Sequence, residues 1–198
     1  MLLHEKLAPY RLILASSSPR RRQLMADAGL RFETAEKYEC EETYPSDTAA
    51  EDVAAYLSVL KSRAYPKPLA ANEILVTADT TVVVGNEVLG KPADRGDAVA
   101  MLRRLSGCGH IVITGVTVRS AVAERTFKAS TTVRFRTLSD EEIAYYVDTF
   151  RPYDKAGAYG IQEWIGYAAV EGIEGSFYNV MGLPVQRLYM ELDDFIGR

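Results

Sequence analysis

Ile74-Leu75-Val76-Thr77-Ala78-Asp79-Thr80-Thr81-Val82-Val83-Val84 is the stretch on which the fold turns. Its two apolar, β-branched runs, Ile74 to Ala78 and Val82 to Val84, show almost no polar alternation, which is the pattern of strand buried on both faces. Toward the N-terminus, Leu12-Ile13-Leu14-Ala15 is another short apolar run. It stops at Ser16-Ser17-Ser18-Pro19, where hydroxyls offer an N-cap and proline suits the first helical position. A helix from about Pro19 to Ala28 is predicted, ended by Gly29. Ala49 to Ala64 places Val53, Tyr56, Leu57, Leu60 and Ala64 at helical spacing and predicts a second helix. Toward the C-terminus, Asp97 to Leu105 reads as a third helix, and Ile111 to Arg119 with Thr126 to Arg136 as a long antiparallel pair of strands. Ser139-Asp140-Glu141-Glu142 opens a fourth helix with a carboxylate-rich first turn, and Pro184 opens a fifth that runs to about Phe195. Helices alternate with strands, so the expected class is α/β with a mixed sheet flanked by helices.

The chain has 198 residues, 47% hydrophobic and 25% charged, with 14 Gly and 8 Pro. These averages exclude collagen-like, fibrous and disordered readings and allow a real core without staples, so one domain over residues 1–198 is expected. The 23 basic residues against 27 acidic give net charge −4, the wrong sign for a protein whose main partner is a nucleic acid backbone. Any anion site must be local. No apolar run approaches the ~18 residues of a membrane span, and the start MLLHEKLAPYRLILASS lacks a signal peptide's layout, so a cytoplasmic protein without membrane partner is expected. Cys40 and Cys108 stand far apart and read as free thiols, and with only His4 and His110 a multi-histidine metal centre is excluded. A hard metal held by carboxylates stays open.

Four stretches could carry chemistry. Ser16 to Arg22 joins a helix N-terminus to hydroxyls and to Arg20, Arg21 and Arg22, which is either a capped helix with a solvated basic face or a phosphate cradle. Arginines so early in a helix oppose its dipole, and an anionic ligand would account for them. Asp79 is a carboxylate inside an apolar strand; left unpaired there it would cost several kcal/mol, so it must meet a metal, a cation, water in a cleft or a backbone amide. It is the leading catalytic candidate. Gly85-Asn86-Glu87-Val88-Leu89-Gly90-Lys91-Pro92 nearly spells a phosphate-binding loop, but Pro92 stands where Ser or Thr should hold magnesium, so Gly85-Asn86 reads instead as a tight hairpin turn. Lys91 after it is either an anion partner or an exposed lysine without a role. Asp154 to Gln162 combines charge, glycines for close backbone approach, and an amide at Gln162 that both donates and accepts as a base edge does. The stripe Tyr145, Tyr146, Tyr153 and Tyr159 reads as core or interface.

Taken in order, LASSSPRRRQLM, ECEETYP, VTADTTVVV, LGKP, YDKAGAYGIQ and GSFYNVMGLP resemble the Maf family of nucleoside triphosphate pyrophosphatases, over residues 12 to 184. The resemblance implies an elongated mixed β-sheet flanked by helices, like that of inosine triphosphate pyrophosphatases. It also implies cleavage between the α and β phosphates with a divalent cation, Mg²⁺ or Mn²⁺, releasing a monophosphate and pyrophosphate. DKAGAYGIQ looks like the branch acting on dTTP and UTP, so a house-cleaning role in the nucleotide pool is implied. Carried over to this sequence, it makes Asp79 the catalytic base and Ser16, Arg20, Arg21, Lys61 and Lys91 the phosphate-side groups. Glu42 and Asp94 join Asp79 near the metal, while Arg20, Thr80 and Gln162 stand at positions tied to substrate choice. The stretch before Pro45 lacks the family's usual Asp and offers Glu39, Glu41 and Glu42 as neighbours. Expected partners are the nucleotide and, in a homodimer, a second copy. The competing reading is a nucleotide-binding regulator of cell division with little or no turnover.

Overall fold

The computed structural model describes residues 1–197. In chain order its elements are α1 (Leu3–Lys6), β1 (Arg11–Leu14), α2 (Pro19–Asp27), β2 (Glu33–Thr34), α3 (Val53–Ala64), β3 (Glu73–Val84), β4 (Glu87–Leu89), α4 (Arg95–Leu105), β5 (Gly109–Arg119), β6 (Glu124–Phe135), α5 (Asp140–Phe150), a 3₁₀ turn (Ala156–Ala158), α6 (Trp164–Ala169), β7 (Val170–Glu174), α7 (Phe177–Met181) and α8 (Val185–Ile196). The strand order is β2-β1-β3-β5-β6-β7, with β4 also paired to β3. β1 runs parallel to β2 and β3, whereas β3–β4 and β6–β7 are antiparallel, so the sheet is mixed as expected. No helix among the described residues is long and apolar enough to cross a membrane.

Several boundaries differ from the expectation, β5 and β6 among them, each starting two residues early. The strand around Asp79 is continuous over 12 residues as expected, because threonine suits a pleated strand and the Asp79 carboxylate finds an ammonium instead of breaking the ladder. Helix α3 begins at Val53 and not at Ala49, since the preceding residues close on turn bonds from Thr48 N to Pro45 O and from Asp52 N to Ala49 O. Helix α4 begins at Arg95, two residues early, because Asp94 is the residue that caps it.

The chain divides into two compact units, and β3, β5 and β6 contribute residues to both. The first comprises residues 1–79, 114–129 and 182 onward. Here β1 meets β3 in the register Leu12↔Ile74, Ile13↔Leu75 and Leu14↔Val76, and Ile13, Ala15 and Leu75 pack with Tyr38, Tyr65 and Leu69. Ser18 caps α2 by accepting from Arg21 N, with Pro19 next to it, as the sequence predicts. Helix α3 lies so close to β5 that a Cβ on Gly115 would stand 2.3 Å from Ala55 N. Only hydrogen fits there.

The second unit comprises residues 80–113 and 130–181. Its core gathers Val82, Leu89, Leu102, Leu105, Val133, Phe135, Ile143, Tyr146, Tyr159 and Ile165. Gly85, at φ 60°, makes the predicted hairpin turn, after which Glu87 pairs with Val84 and Leu89 with Val82. Helix α5 opens on a full capping box: Ser139 Oγ accepts from Glu142 N, and the Glu142 carboxylate accepts from Ser139 N. The tyrosine stripe splits, with Tyr146 and Tyr159 buried and Tyr145 and Tyr153 at the surface.

Candidate functional site

In the first unit, three of the residues singled out from the sequence come together. Lys61 Nζ lies 2.5 Å from Asp79 Oδ1 and 3.1 Å from Glu42 Oε2. Asp79 and Lys61 are largely buried, while Glu42, on the loop before α3, is exposed. Two carboxylates share one ammonium, so the Asp79 carboxylate finds its partner inside the strand, and a carboxylate held in place is suited to accept a proton.

The elements that aim this group also follow from local chemistry. Thr77 Oγ1 donates to Ser58 O at 2.7 Å, tying β3 to α3. Ser58 Oγ and Thr117 Oγ1 are 2.8 Å apart, and Thr117 Oγ1 is 2.9 Å from Thr126 Oγ1. The Arg119 guanidinium donates to Ser62 Oγ and Ser62 O at 2.9 and 2.6 Å, and the Tyr38 hydroxyl donates to Lys61 O at 2.8 Å. Burial pushes the Tyr38 phenol up to about 12, so it stays a donor at neutral pH. These residues were not found by sequence reasoning, although a signal existed: Thr77 shares a strand face with Asp79, and Ser58 lies one helical turn before Lys61.

Arg21 is held differently from a surface cation. Its Nε donates to Gly182 O at 2.7 Å, and its Nη1 donates to Ala78 O at 2.8 Å and to Ser16 Oγ at 3.4 Å. Burial lowers its pKa from the ordinary arginine value, and Asp79 and Glu42 work against that shift. The guanidinium therefore braces the residue before Asp79 while leaving a positive charge beside it. Arg20, at the start of α2, is half-buried in the same unit.

The remaining candidates belong to the second unit. Lys91 is exposed on the segment after β4. Asp94 Oδ1 accepts from Asp97 N at 2.9 Å as the cap of α4. Thr80 follows Asp79 on β3 and is half-buried. Gln162 is half-buried, and its Oε1 is a buried acceptor with no hydrogen-bond partner. An unmet amide oxygen of this kind is a place where a ligand's N–H would be welcome.

Hard divalent cations take carboxylate oxygens, and magnesium commonly uses only one or two of them beside substrate phosphates and water. Asp79 and Glu42 supply that donor set. Among the described residues no group of three or more His, Cys, Asp or Glu stands together as a metal centre. Cys40 and Cys108 are free thiols.

A family model, Maf: Maf-like protein, matches residues 11–195. A dTTP/UTP pyrophosphatase of Phocaeicola vulgatus is 50% identical over 188 residues, which cover 95% of this chain and 97% of that protein. Another of the same description from Bacteroides thetaiotaomicron is 50% identical over 186 residues, covering 94% and 96%. Among solved structures, a HAM1 protein from Coxiella burnetii matches 93% of this chain and 99% of its own at 11% identity, with TM-score 0.49.

Proposed function

The chain belongs to the Maf-like protein family, and from that premise we propose that it hydrolyses the pyrimidine nucleoside triphosphates dTTP and UTP to the monophosphate and pyrophosphate, a nucleotide-pool house-cleaning reaction in the cytoplasm. It is an enzyme, a nucleoside triphosphate pyrophosphatase, and its relatives carry that activity in their names. Residues 1–198 act as one functional domain in this reading.

The observation that carries the proposal is the Glu42–Lys61–Asp79 group, a largely buried carboxylate paired with an ammonium that a phosphate oxygen can also engage. Asp79 accepts a proton from the attacking water as the α–β anhydride opens. Lys61 holds Asp79 in place and stabilises charge as it develops on the phosphates. Ser16, Arg20, Arg21 and Lys91 bind the triphosphate, whose roughly four negative charges a protein of net charge −4 can attract only through local cations. Thr80, Arg20 and Gln162 select the base. A divalent cation, Mg²⁺ or Mn²⁺, would be held by Asp79 and Glu42, with Asp94 as a further carboxylate, and when bound it supplies charge neutralisation and acidifies water.

Incubating the protein with dTTP and MgCl₂ and separating the products tests this directly. Equal amounts of dTMP and pyrophosphate are expected. Inorganic phosphate and dTDP would place the cleavage at the wrong bond, and no metal-dependent turnover would leave only the regulator reading standing.

A further inference from the structure

The segment that carries Gln162 is anchored by an ionic network, buried at Lys155 and Tyr146 and reaching the surface at Asp154, that the proposed reaction does not use. Lys155 is 8% exposed, unusual for lysine, and its Nζ lies 2.7 Å from Asp154 Oδ1 and 3.1 Å from Glu163 Oε1. The other Glu163 oxygen accepts a short hydrogen bond from the Tyr146 hydroxyl. That hydroxyl in turn accepts from Gly160 N at 3.0 Å. Burial and the Glu163 carboxylate both raise the Tyr146 pKa, so the phenol stays protonated and keeps donating. Glu163 stands at the N-cap of α6 yet makes no capping bond with its side chain, because its carboxylate faces Lys155 and Tyr146 instead. A carboxylate withheld from the helix end it precedes has another task.

That task is read from what lies between the anchored points. Gln162 sits between Gly160 and Glu163, both of which the network grips. A Cβ on Gly160 would stand 3.1 Å from Gln162 Nε2 and 3.0 Å from Lys155 Cε and Glu163 Cδ, so the amide and the ion pair are packed over the same backbone atom. Gly157, at φ 66°, donates its N–H to Gly90 O at 3.0 Å, and a Cβ there would meet Val82 Cγ2 at 2.9 Å. One end of the segment is thereby fixed beside Lys91 and the other beside Gln162. Tyr146 is itself immobilised by stacking on Phe150 and Trp164 at centroid distances of 5.1 and 6.5 Å.

We propose that Tyr146, Lys155 and Glu163 are positioning residues for base selection: their network holds the Gln162 amide in the one orientation that accepts from N3–H and donates to O4 of a uracil-type base. This rests on the dTTP and UTP pyrophosphatase reading above. A freely turning amide exposes donor and acceptor to any base, whereas a fixed one rejects bases that leave its buried oxygen unmet.

The test compares kcat/KM for UTP with kcat/KM for ATP and CTP in the wild-type protein, Tyr146→Phe and Glu163→Gln, with circular dichroism as the folding check. The preference for UTP is expected to fall at least about fivefold in Tyr146→Phe, through KM for UTP more than through kcat. Glu163→Gln keeps the shape but offers one acceptor oxygen where the carboxylate offers two, so it can keep the bond from Lys155 or from Tyr146 but not both, and its preference should fall between those of the wild type and Tyr146→Phe. Lys155→Arg, which restores a cation, should retain more selectivity than Lys155→Met. If Tyr146→Phe does not fold, Glu163→Gln and the Lys155 pair carry the same comparison. Folded variants that lose thermal stability but keep the wild-type base preference would overturn the proposal. Wild-type protein that cleaves nucleoside triphosphates without base preference would overturn it too, while wild-type protein that cleaves none would overturn the underlying function with it.

Discussion

The Thr77 hydroxyl donates to the Ser58 carbonyl oxygen at 2.7 Å, and this bond fixes the strand just ahead of Asp79 against the helix just ahead of Lys61. The 2.5 Å spacing of the ion pair is thus set by backbone-level ties and not by the long lysine side chain alone. Catalysis should then depend on both the charges and the scaffold.

Asp79→Asn should stay folded and bind nucleotide but lower kcat by roughly 10² to 10⁴, the range for loss of a positioned base. Steady-state kinetics with dTTP checks it, and turnover near the wild-type rate would remove Asp79 from the mechanism.

Lys91→Ala should weaken nucleotide use by at least about 1 kcal/mol in kcat/KM while moving stability by no more than about 0.5 kcal/mol, because the side chain is exposed. Arg20→Ala should show the same loss in kcat/KM. Kinetics and urea unfolding on the same preparations separate the two effects, and a matching loss of stability would assign Lys91 to the fold.

The unmodified enzyme should prefer dTTP and UTP over ATP and GTP by at least about tenfold in kcat/KM, because a site built around one hydrogen-bonding edge rejects bases that leave it unpaired. Gln162→Ala should narrow that gap. Purine triphosphates that serve equally well would sink the pyrimidine assignment while sparing the pyrophosphatase.

A displacement of α3 should be felt in activity as well as in stability. Gly115→Ala forces a methyl group to within 2.4 Å of the Ala54 and Ala55 backbone, so it should destabilise by at least about 1 to 3 kcal/mol and lower kcat by moving Lys61 away from Asp79. Unfolding and turnover would be measured together, and full stability would mean that helix and strand can part without strain.

Acid should weaken the fold through His110. This residue is 1% exposed, its Nε2 pairs with the Tyr159 hydroxyl at 2.7 Å, and burial pushes it down to about 4 from 6.5. The unfolded chain takes up the proton first, so stability is full above about 6.5 and falls as pH drops toward 4, by roughly 3 kcal/mol in all at about 1.4 kcal/mol per pKa unit. Glu142, held down to about 2 first by the Arg136 guanidinium, loses its contribution only below its ordinary 4.5, so the interval from pH 6.5 to 5 reports on His110. Denaturant midpoints across that interval should slope in the wild-type protein and flatten in His110→Gln.

What the sequence made legible were features with a local physical cause. Asp79 stood out because a carboxylate in an apolar strand needs a partner, and the Gly85-Asn86 turn, the Ser18-Pro19 start and the Ser139 capping box are each written within four residues. Helices α1, α6 and α7 are too short to develop a period, and β7 follows α6 without a turn residue between them. The tyrosine stripe read as a unit hides a helical period: Ile143, Tyr146 and Val147 share the apolar face of α5 and Tyr145 falls off it, so one tyrosine is core and the other surface. The Tyr146–Glu163–Lys155 network joins side chains from a helix, a loop and a helix start, and such meetings exist only after folding.

Arg21, anchored on the Ala78 and Gly182 carbonyls, has a consequence for how the protein behaves as ionic strength changes. Mobile ions shield an exposed charge such as Lys91 beyond about 8 Å at physiological salt, but they approach a partly buried guanidinium poorly. Attraction for anions therefore has a share that salt can dial down and a share that it cannot. Raising sodium chloride should erode capture of the triphosphate only to a plateau, with the residual pull located where the chain has built its own counter-ion into the wall.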